Sequence, residues 1–222
     1  MPSQSNAATS AAATEIPVPY RIETQRLIVR CYDPADAPRV KIAIDASLDH
    51  LRPWMPWSRD EPKPLEQHIA RLRQFRGKFD LGQDYIFGIF SRDERDFLGG
   101  TGIHARVGPQ AIEIGYWVHV DHARRGIVTE STAALTRVAF ECLKLQRVEI
   151  RCDPANVASA GVPRKLGFRH DATLRSCILS EPNGPLRDSM VWTMLSTEYP
   201  GSPPSRATIQ AFDSAARPIE LV

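Results

Sequence analysis

The chain has 222 residues, 42% hydrophobic and 24% charged, with a formal net charge of +2. That length suits one domain with a real core plus tails. No apolar run approaches the roughly 18 residues of a membrane span, and the small, scattered positive charge signals no nucleic-acid partner.

Cys31, Cys142, Cys152 and Cys177 are widely spaced and form no CxxC pair, so neither a zinc site nor a disulfide framework is expected. Reduced thiols in a cytoplasm fit best. The start of the chain, up to about Thr14, is Ser, Ala, Thr, Asn and Gln with no large apolar residue after Met1, and it predicts a disordered tail over 1–19. It has neither the basic start and apolar stretch of a secretory signal nor the arginines of a mitochondrial presequence.

In chain order, Leu27–Cys31 alternates as a strand, and Asp33-Pro34 supplies an N-cap and first-turn proline for a helix to about Leu48. The segment His50-Leu51-Arg52-Pro53-Trp54-Met55-Pro56-Trp57 is too proline-broken to be regular. Leu65, His68, Ile69, Leu72, Phe75 and Phe79 share one face of a helix over 65–79. Tyr85–Phe90, Phe97–His104 and Ala111–Val120 read as an antiparallel meander. An amphipathic helix follows Gly126, then a strand over Val148–Cys152, parallel to the last meander strand by the handedness of such crossovers.

A short helix over Ser159–Leu166 with Gly167 as left-handed cap precedes a hairpin, Thr173–Leu179 and Arg187–Leu195, turning over Asn183-Gly184. The order β-α-α-β-β-β-α-β-α-β-β predicts an α+β fold with a mixed central sheet of about seven strands over 20–197, and the Pro/Ser/Ala-rich stretch 198–222 reads as a loosely docked tail.

One stretch carries chemistry. Val118, His119 and Val120 end a strand, and Asp121-His122-Ala123-Arg124-Arg125-Gly126 leads into the helix that begins Ile127-Val128-Thr129-Glu130. Helix starts leave N–H groups without intrahelical partners and carry positive macrodipole charge, so this turn is a receptor for a pyrophosphate, with Arg124 and Arg125 adding charge. Gly99-Gly100-Thr101-Gly102 is followed by strand rather than helix and reads as close strand packing. His119 and His122 have no further metal ligands signalled nearby, and no metal is expected.

The element order, the Arg124–Glu130 turn and the run Asn156…Ser159…Lys165-Leu166-Gly167-Phe168 resemble the GNAT superfamily of acyl-CoA-dependent N-acetyltransferases. Thr24-Gln25-Arg26-Leu27, Leu51-Arg52-Pro53-Trp54, Ile114-Gly115-Tyr116-Trp117 and Asn156-Val157-Ala158-Ser159 resemble its RimJ/RimL branch, which acetylates ribosomal-protein N-termini. The family turn, Gln/Arg-x-x-Gly-x-Gly/Ala, falls on Ala123, Gly126 and Val128, and only Gly126 keeps it.

The resemblance implies that acetyl-CoA, or another acyl-CoA such as succinyl-CoA, binds along Val118, His119, Val120, Arg124, Arg125, Gly126, Ile127, Val128 and Thr129, with Asn156 and Ser159 at its arm. The strand around Tyr116–Val120 would splay from its neighbour, with Gly115 as a bulge site, and hold the thioester carbonyl. Ser159 would stand near the sulfur, since Pro163 occupies the position where many members carry an acidic tyrosine; Ser159 also reads as an N-cap and Pro163 as a first-turn residue.

Acyl transfer needs a neutral amine. Glu113 is the first candidate base and Glu149 the second. Arg52, Trp54, Trp57 and Tyr116 are the expected acceptor-binding residues. The acceptor is a protein N-terminus or a small amine, without nucleic acid or membrane, and the protein a monomer or homodimer. The competing function is a coenzyme A-binding sensor or partner protein with little catalysis.

Overall fold

A computed structural model describes residues 18–179 and 184–221. The strands are β1 (Arg21–Glu23), β2 (Leu27–Cys31), β3 (Tyr85–Ser91), β4 (Phe97–His104), β5 (Ala111–Val118), β6 (Arg147–Cys152), β7 (Arg169–Leu179), β8 (Leu186–Leu195), β9 (Gln210–Phe212) and β10 (Pro218–Ile219). The helices are α1 (Ala37–Ala46), α2 (Leu48–Leu51), α3 (Leu65–Asp80), α4 (Ile127–Arg137) and α5 (Val157–Lys165). One sheet runs in the order β10-β9-β1-β2-β3-β4-β5-β6-β8-β7, and among the described residues only β5 and β6 are parallel neighbours.

Strand alternation separates two cores, because successive side chains point to opposite faces. Leu27, Val29 and Cys31 of β2 join Phe87 and Ile89 of β3 in the core beneath α4 and α5. Ile28 of β2 and Phe90 of β3 point the other way, to Val40 and Ile44 of α1 and Leu72 of α3. Arg30, on that second face, is bound through Nη1 and Nη2 to the Asp36 carboxylate at 2.8 and 2.9 Å and through Nε to Glu94 at 2.6 Å, so the buried Asp36 is fully paired.

The expected helix from Pro34 opens as a single 3-10 turn, Pro34–Asp36, before α1; Asp33 caps it, accepting from the Ala35 N–H at 2.8 Å. The helix after Gly126 is α4, continued by a π turn over Val138–Cys142. Pro163 corrects the first-turn reading, since it lies inside α5 near its C-terminal end.

Among the described residues the sheet has ten strands rather than about seven. The additions, β1, β9 and β10, extend one edge: β9 pairs with β1, and the Tyr20 N–H donates to the Phe212 carbonyl at 2.8 Å. The stretch read as a loose tail thus completes the sheet, and the Arg137 guanidinium holds it at the Ala207 carbonyl. Of the expected disordered tail only Val18 and Pro19, both buried, fall within the described residues. Asn183 of the expected hairpin turn lies outside them.

The feature that positions the site is a parting of strands. β5 and β6 pair only from Ala111↔Arg147 to Glu113↔Glu149. Beyond that point β5 follows β4 as far as Val118, and β6 follows β8 as far as Cys152. A gap opens between the strands, with the N-termini of α4 and α5 at its mouth.

Candidate active site

A cleft of about 890 Å³ occupies this gap. One wall is β5 and the turn into α4: Tyr116, Trp117, Val118, His122, Ala123, Arg124, Gly126, Ile127, Val128 and Thr129. Opposite stand Asn156, Ser159 and Lys165 of the α5 region, and a third side is made by His50, Leu51, Trp54 and Met55.

The turn is left-handed at Arg124 (φ 62°) and at Gly126 (φ 79°), the N-cap of α4. The first helical hydrogen bond runs from the Glu130 N–H to the Gly126 carbonyl at 2.9 Å, which leaves the N–H groups of Ile127, Val128 and Thr129 without intrahelical partners. Arg124 and Arg125 have no carboxylate partner among the described residues. Val128, where the family motif has a small residue, turns partly into the main core.

A second layer fixes this turn. Glu130 accepts from the Thr24 hydroxyl at 2.6 Å and from Arg26 Nε at 2.7 Å, while Arg26 Nη1 donates to the Arg125 carbonyl at 3.1 Å. Thr24 and Arg26 stand in the Thr24-Gln25-Arg26-Leu27 motif that contributed to the family resemblance; their role at the turn had no signal in local pattern, because their partners lie about a hundred residues away.

β5 presents main-chain groups to the gap. The His119 N–H donates to the Leu98 carbonyl at 2.8 Å, so by strand alternation the N–H groups of Trp117 and Gly115 also face β4. Those of Tyr116 and Val118 therefore face the parted side. The β4–β5 register is continuous from Glu113 to Val118, so the expected bulge at Gly115 is absent; the strands part through loss of β6 rather than through an extra residue. The glycine-rich start of β4 is close packing, since a Cβ on Gly99 would lie 2.3 Å from the Trp117 carbonyl oxygen.

At the other wall Asn156, not Ser159, caps α5: its Oδ1 accepts from the Ser159 N–H at 3.0 Å, leaving its NH₂ as a donor. Ser159 Oγ donates to the Tyr116 hydroxyl oxygen at 3.3 Å, and the Tyr116 hydroxyl donates to the Ser159 carbonyl at 3.1 Å. Burial raises the Tyr116 phenol well above its ordinary value, against the lowering effect of Ser159.

Several expected site residues stand elsewhere. Glu113 and Glu149 face each other at the last paired position of β5 and β6 and do not line the cleft. Arg106 holds both oxygens of Glu113 at 2.9 and 2.6 Å, and Arg147 and Arg151 hold Glu149 at 2.9 and 3.0 Å.

His119 caps the 3-10 turn over Val120–His122, accepting from the Asp121 N–H at 3.1 Å, and burial lowers its pKa. The Val120 N–H is taken by Ser47 Oγ at 3.0 Å, and Arg125 serves the turn through its carbonyl. Arg52 donates to the Glu61 carbonyl at 3.1 Å, and Trp57 packs edge-on against Trp117 at 5.8 Å in the second core. None of these lines the cleft.

Trp54 does line it, braced by the Arg187 guanidinium 5.6 Å from its ring centroid. His50, His122 and Lys165, which were not among the expected site residues, complete the ionisable lining. Among the described residues no cluster of three or more His, Cys, Asp or Glu is placed to hold a metal ion, and no helix is long and apolar enough to cross a membrane.

Comparison with known proteins agrees with this geometry. Residues 26–169 match the acetyltransferase (GNAT) domain family. YdaF of Bacillus subtilis strain 168, provisionally named a ribosomal N-acetyltransferase, is 34% identical over 80% of this chain and 95% of its own length. The ribosomal protein uS5-alanine N-acetyltransferase of Escherichia coli K12 is 24% identical over 81% and 92%.

Among solved structures, RimL, a ribosomal L7/L12 alpha-N-protein acetyltransferase in complex with coenzyme A, has the same fold: TM-score 0.69 at 21% identity, covering 81% of this chain and 97% of that one. Mycobacterium smegmatis RimJ with coenzyme A disulfide gives a TM-score of 0.69 at 23% identity over 86% and 91%. A strand pair parted beside an unsatisfied helix start, within a domain matched along most of its length, makes this chain a member of the GNAT family, an acetyl-CoA-dependent N-acetyltransferase of the RimJ/RimL type.

Proposed function

We propose that the acceptor is the α-amino terminus of a protein. The observation that carries this reading is the charge of the cleft: its ionisable lining is His50, His122, Arg124, Lys165 and the phenol of Tyr116, with no aspartate or glutamate among the described residues. Such a cleft offers no carboxylate to bind polycations of the polyamine or aminoglycoside kind and disfavours any bound ammonium.

An amine attacks only when neutral. At pH 7.5 roughly a third of α-amines, with pKa about 7.7–8.0, are neutral, against roughly one lysine amine in a thousand. An α-amine therefore needs little help from a protein base, which suits a cleft without a carboxylate. The names of the relatives support the same acceptor class.

In this reading the pyrophosphate of acetyl-CoA meets the N–H groups of Gly126, Ile127, Val128 and Thr129 and the Arg124 side chain. The pantetheine arm lies along the free edge of β5, contacting the Asn156 amide across the gap. A β5 N–H, from Tyr116 or Val118, polarises the thioester carbonyl in a site that needs no reorganisation, and the Ser159 hydroxyl serves the departing sulfur. Trp54 and Met55, beside His50, receive the acceptor chain. Glu113 and Glu149, each neutralised by arginine, close the paired end of β5 and β6 rather than take the proton.

The test is an acceptor panel. With saturating acetyl-CoA, a peptide with a free small N-terminal residue should release coenzyme A thiol at least about tenfold faster than the same peptide N-terminally blocked around an internal lysine, or than a polyamine. Equal or faster turnover of the blocked peptide or the polyamine would overturn the acceptor assignment.

A further inference from the structure

The contact between Tyr116 and Ser159 joins two facts that are unrelated in sequence. An α-helical carbonyl normally accepts the N–H of the residue four positions later. For the Ser159 carbonyl that residue is Pro163, which has no N–H to give. The vacant carbonyl is taken by the Tyr116 hydroxyl from β5, at 3.1 Å. The same hydroxyl oxygen lies 3.3 Å from Ser159 Oγ. A proline inside α5 thus gives a phenol from the opposite wall of the cleft a fixed seat beside the serine.

A phenol has one proton and here two neighbours to receive it. In the arrangement seen, Tyr116 donates to the Ser159 carbonyl and accepts from Oγ, and this seat fixes the phenol oxygen beside Oγ, where a rotation of its own O–H reaches the serine. When Tyr116 donates to Oγ instead, the Ser159 proton is turned outward, toward whatever occupies the gap. The serine alone is a poor acid, since giving up its proton would leave an alkoxide. With the phenol behind it, a proton is passed to Oγ as the serine gives up its own, so no serine alkoxide is left.

We propose that Tyr116 is the positioning residue of the acyl transfer, turning the Ser159 hydroxyl toward the leaving sulfur and replenishing its proton, and that Pro163 serves catalysis by keeping the Ser159 carbonyl free to seat it. This rests on the acetyl-CoA arm lying beside Ser159. The step is balanced. The amine nitrogen forms a bond to the thioester carbonyl carbon, and the carbon–sulfur bond breaks with its electron pair on sulfur. The Ser159 proton passes to sulfur, and the Tyr116 proton passes to Oγ. The nitrogen releases one proton to solvent, and Tyr116 recovers one from solvent as the products leave. The many family members with a tyrosine on the helix have the phenol on the side of the gap where this chain has Pro163; here it comes from the strand.

The experiment is a variant cycle on kcat, read as coenzyme A thiol release with whichever amine the wild type turns over, so it fails separately from the acceptor assignment. Tyr116→Phe should lower kcat about tenfold or more while the KM for acetyl-CoA stays within about twofold. Pro163→Ala restores an N–H that competes for the Ser159 carbonyl and should lower kcat about threefold, but should have no further effect in a Tyr116→Phe background.

A purely structural role for Pro163 would instead lower both backgrounds equally, which would overturn the proposal, as would a Tyr116→Phe variant with kcat within about twofold of wild type. Should Tyr116→Phe not fold, the same comparison is made with Ser159→Ala: Pro163→Ala must slow the serine enzyme and leave the alanine enzyme unchanged. Equal slowing of both sinks the idea.

Discussion

The two sides of the cleft are built from different materials. On the side proposed for the cofactor the groups offered to the cleft are main chain: the N–H groups at the start of α4 and those of Tyr116 and Val118 along β5, set by a left-handed Gly126 and the parting of β5 from β6. On the side proposed for the acceptor they are side chains, His50, Trp54 and Met55, presented by one turn of helix and a proline-broken loop. Main-chain sites tolerate substitution of the residues that form them, provided the backbone path survives. This explains how the turn keeps its form with Ala123 and Val128 where the family motif has other residues. Side-chain sites change with each residue, and acceptor choice is correspondingly local.

Substitutions can break either side without the other. The largest effect is expected from Gly126→Val. A branched side chain in the left-handed region costs roughly 1–2 kcal/mol, and a Cβ there would lie 3.3 Å from Arg26 Nη2. The KM for acetyl-CoA should rise roughly fivefold to thirtyfold in initial-rate measurements, with the acceptor KM unchanged. Trp54→Ala should do the reverse, raising the acceptor KM about threefold to tenfold while acetyl-CoA binding, measured by calorimetry, stays within about twofold.

Glu113→Gln belongs to neither side. It weakens the pairing with Arg106, so the melting temperature should fall by a few degrees, a cost of about 1 kcal/mol for a pair partly open to solvent, while kcat stays within about twofold.

The smallest effect lies behind the acceptor loop. His68, buried on α3, stands 3.4 Å from the carboxylate of Glu61, which Arg71 already pairs at 2.6 Å. Burial lowers the His68 pKa below its ordinary 6.5. A histidine held neutral in the fold binds fewer protons than the unfolded chain does. Its contribution to stability is therefore complete above pH 6.5 and is lost as pH falls through the lowered folded value. His68→Gln should flatten that part of a melting temperature–pH curve between pH 7 and 5.

Legibility in sequence follows the same division. Elements with strong period, such as Leu27–Cys31, Phe97–His104 and the helix from Leu65, are found where alternation and helical spacing place them. The strands β1, β9 and β10 are too short for a period and exist through pairing with one another and with β2. The turn proposed for the pyrophosphate was readable because a glycine, a helix start and basic residues fall together within a few positions.

What engages Glu113 was not readable: it looked available on an alternating strand, but its pairing with Arg106 depends on how the intervening loop folds. The cap of α5 went to Asn156 instead of Ser159 because α5 begins at Val157, two residues before the expected start at Ser159. Pro163 read as a helix-start residue because a proline inside a helix needs an outside donor, and that donor, Tyr116, lies on β5.

The central claim is that a cleft with no carboxylate among its described lining residues acetylates an amine that is already neutral. The most direct test is the pH dependence of kcat/KM with peptides whose α-amines differ in pKa. The account predicts a rise whose midpoint tracks each peptide's own α-amine, about 7.7–8.0 for an ordinary N-terminus, and is the same in the Glu113→Gln variant. A midpoint that stays fixed whichever peptide is used, or that moves when Glu113 is replaced, would contradict it.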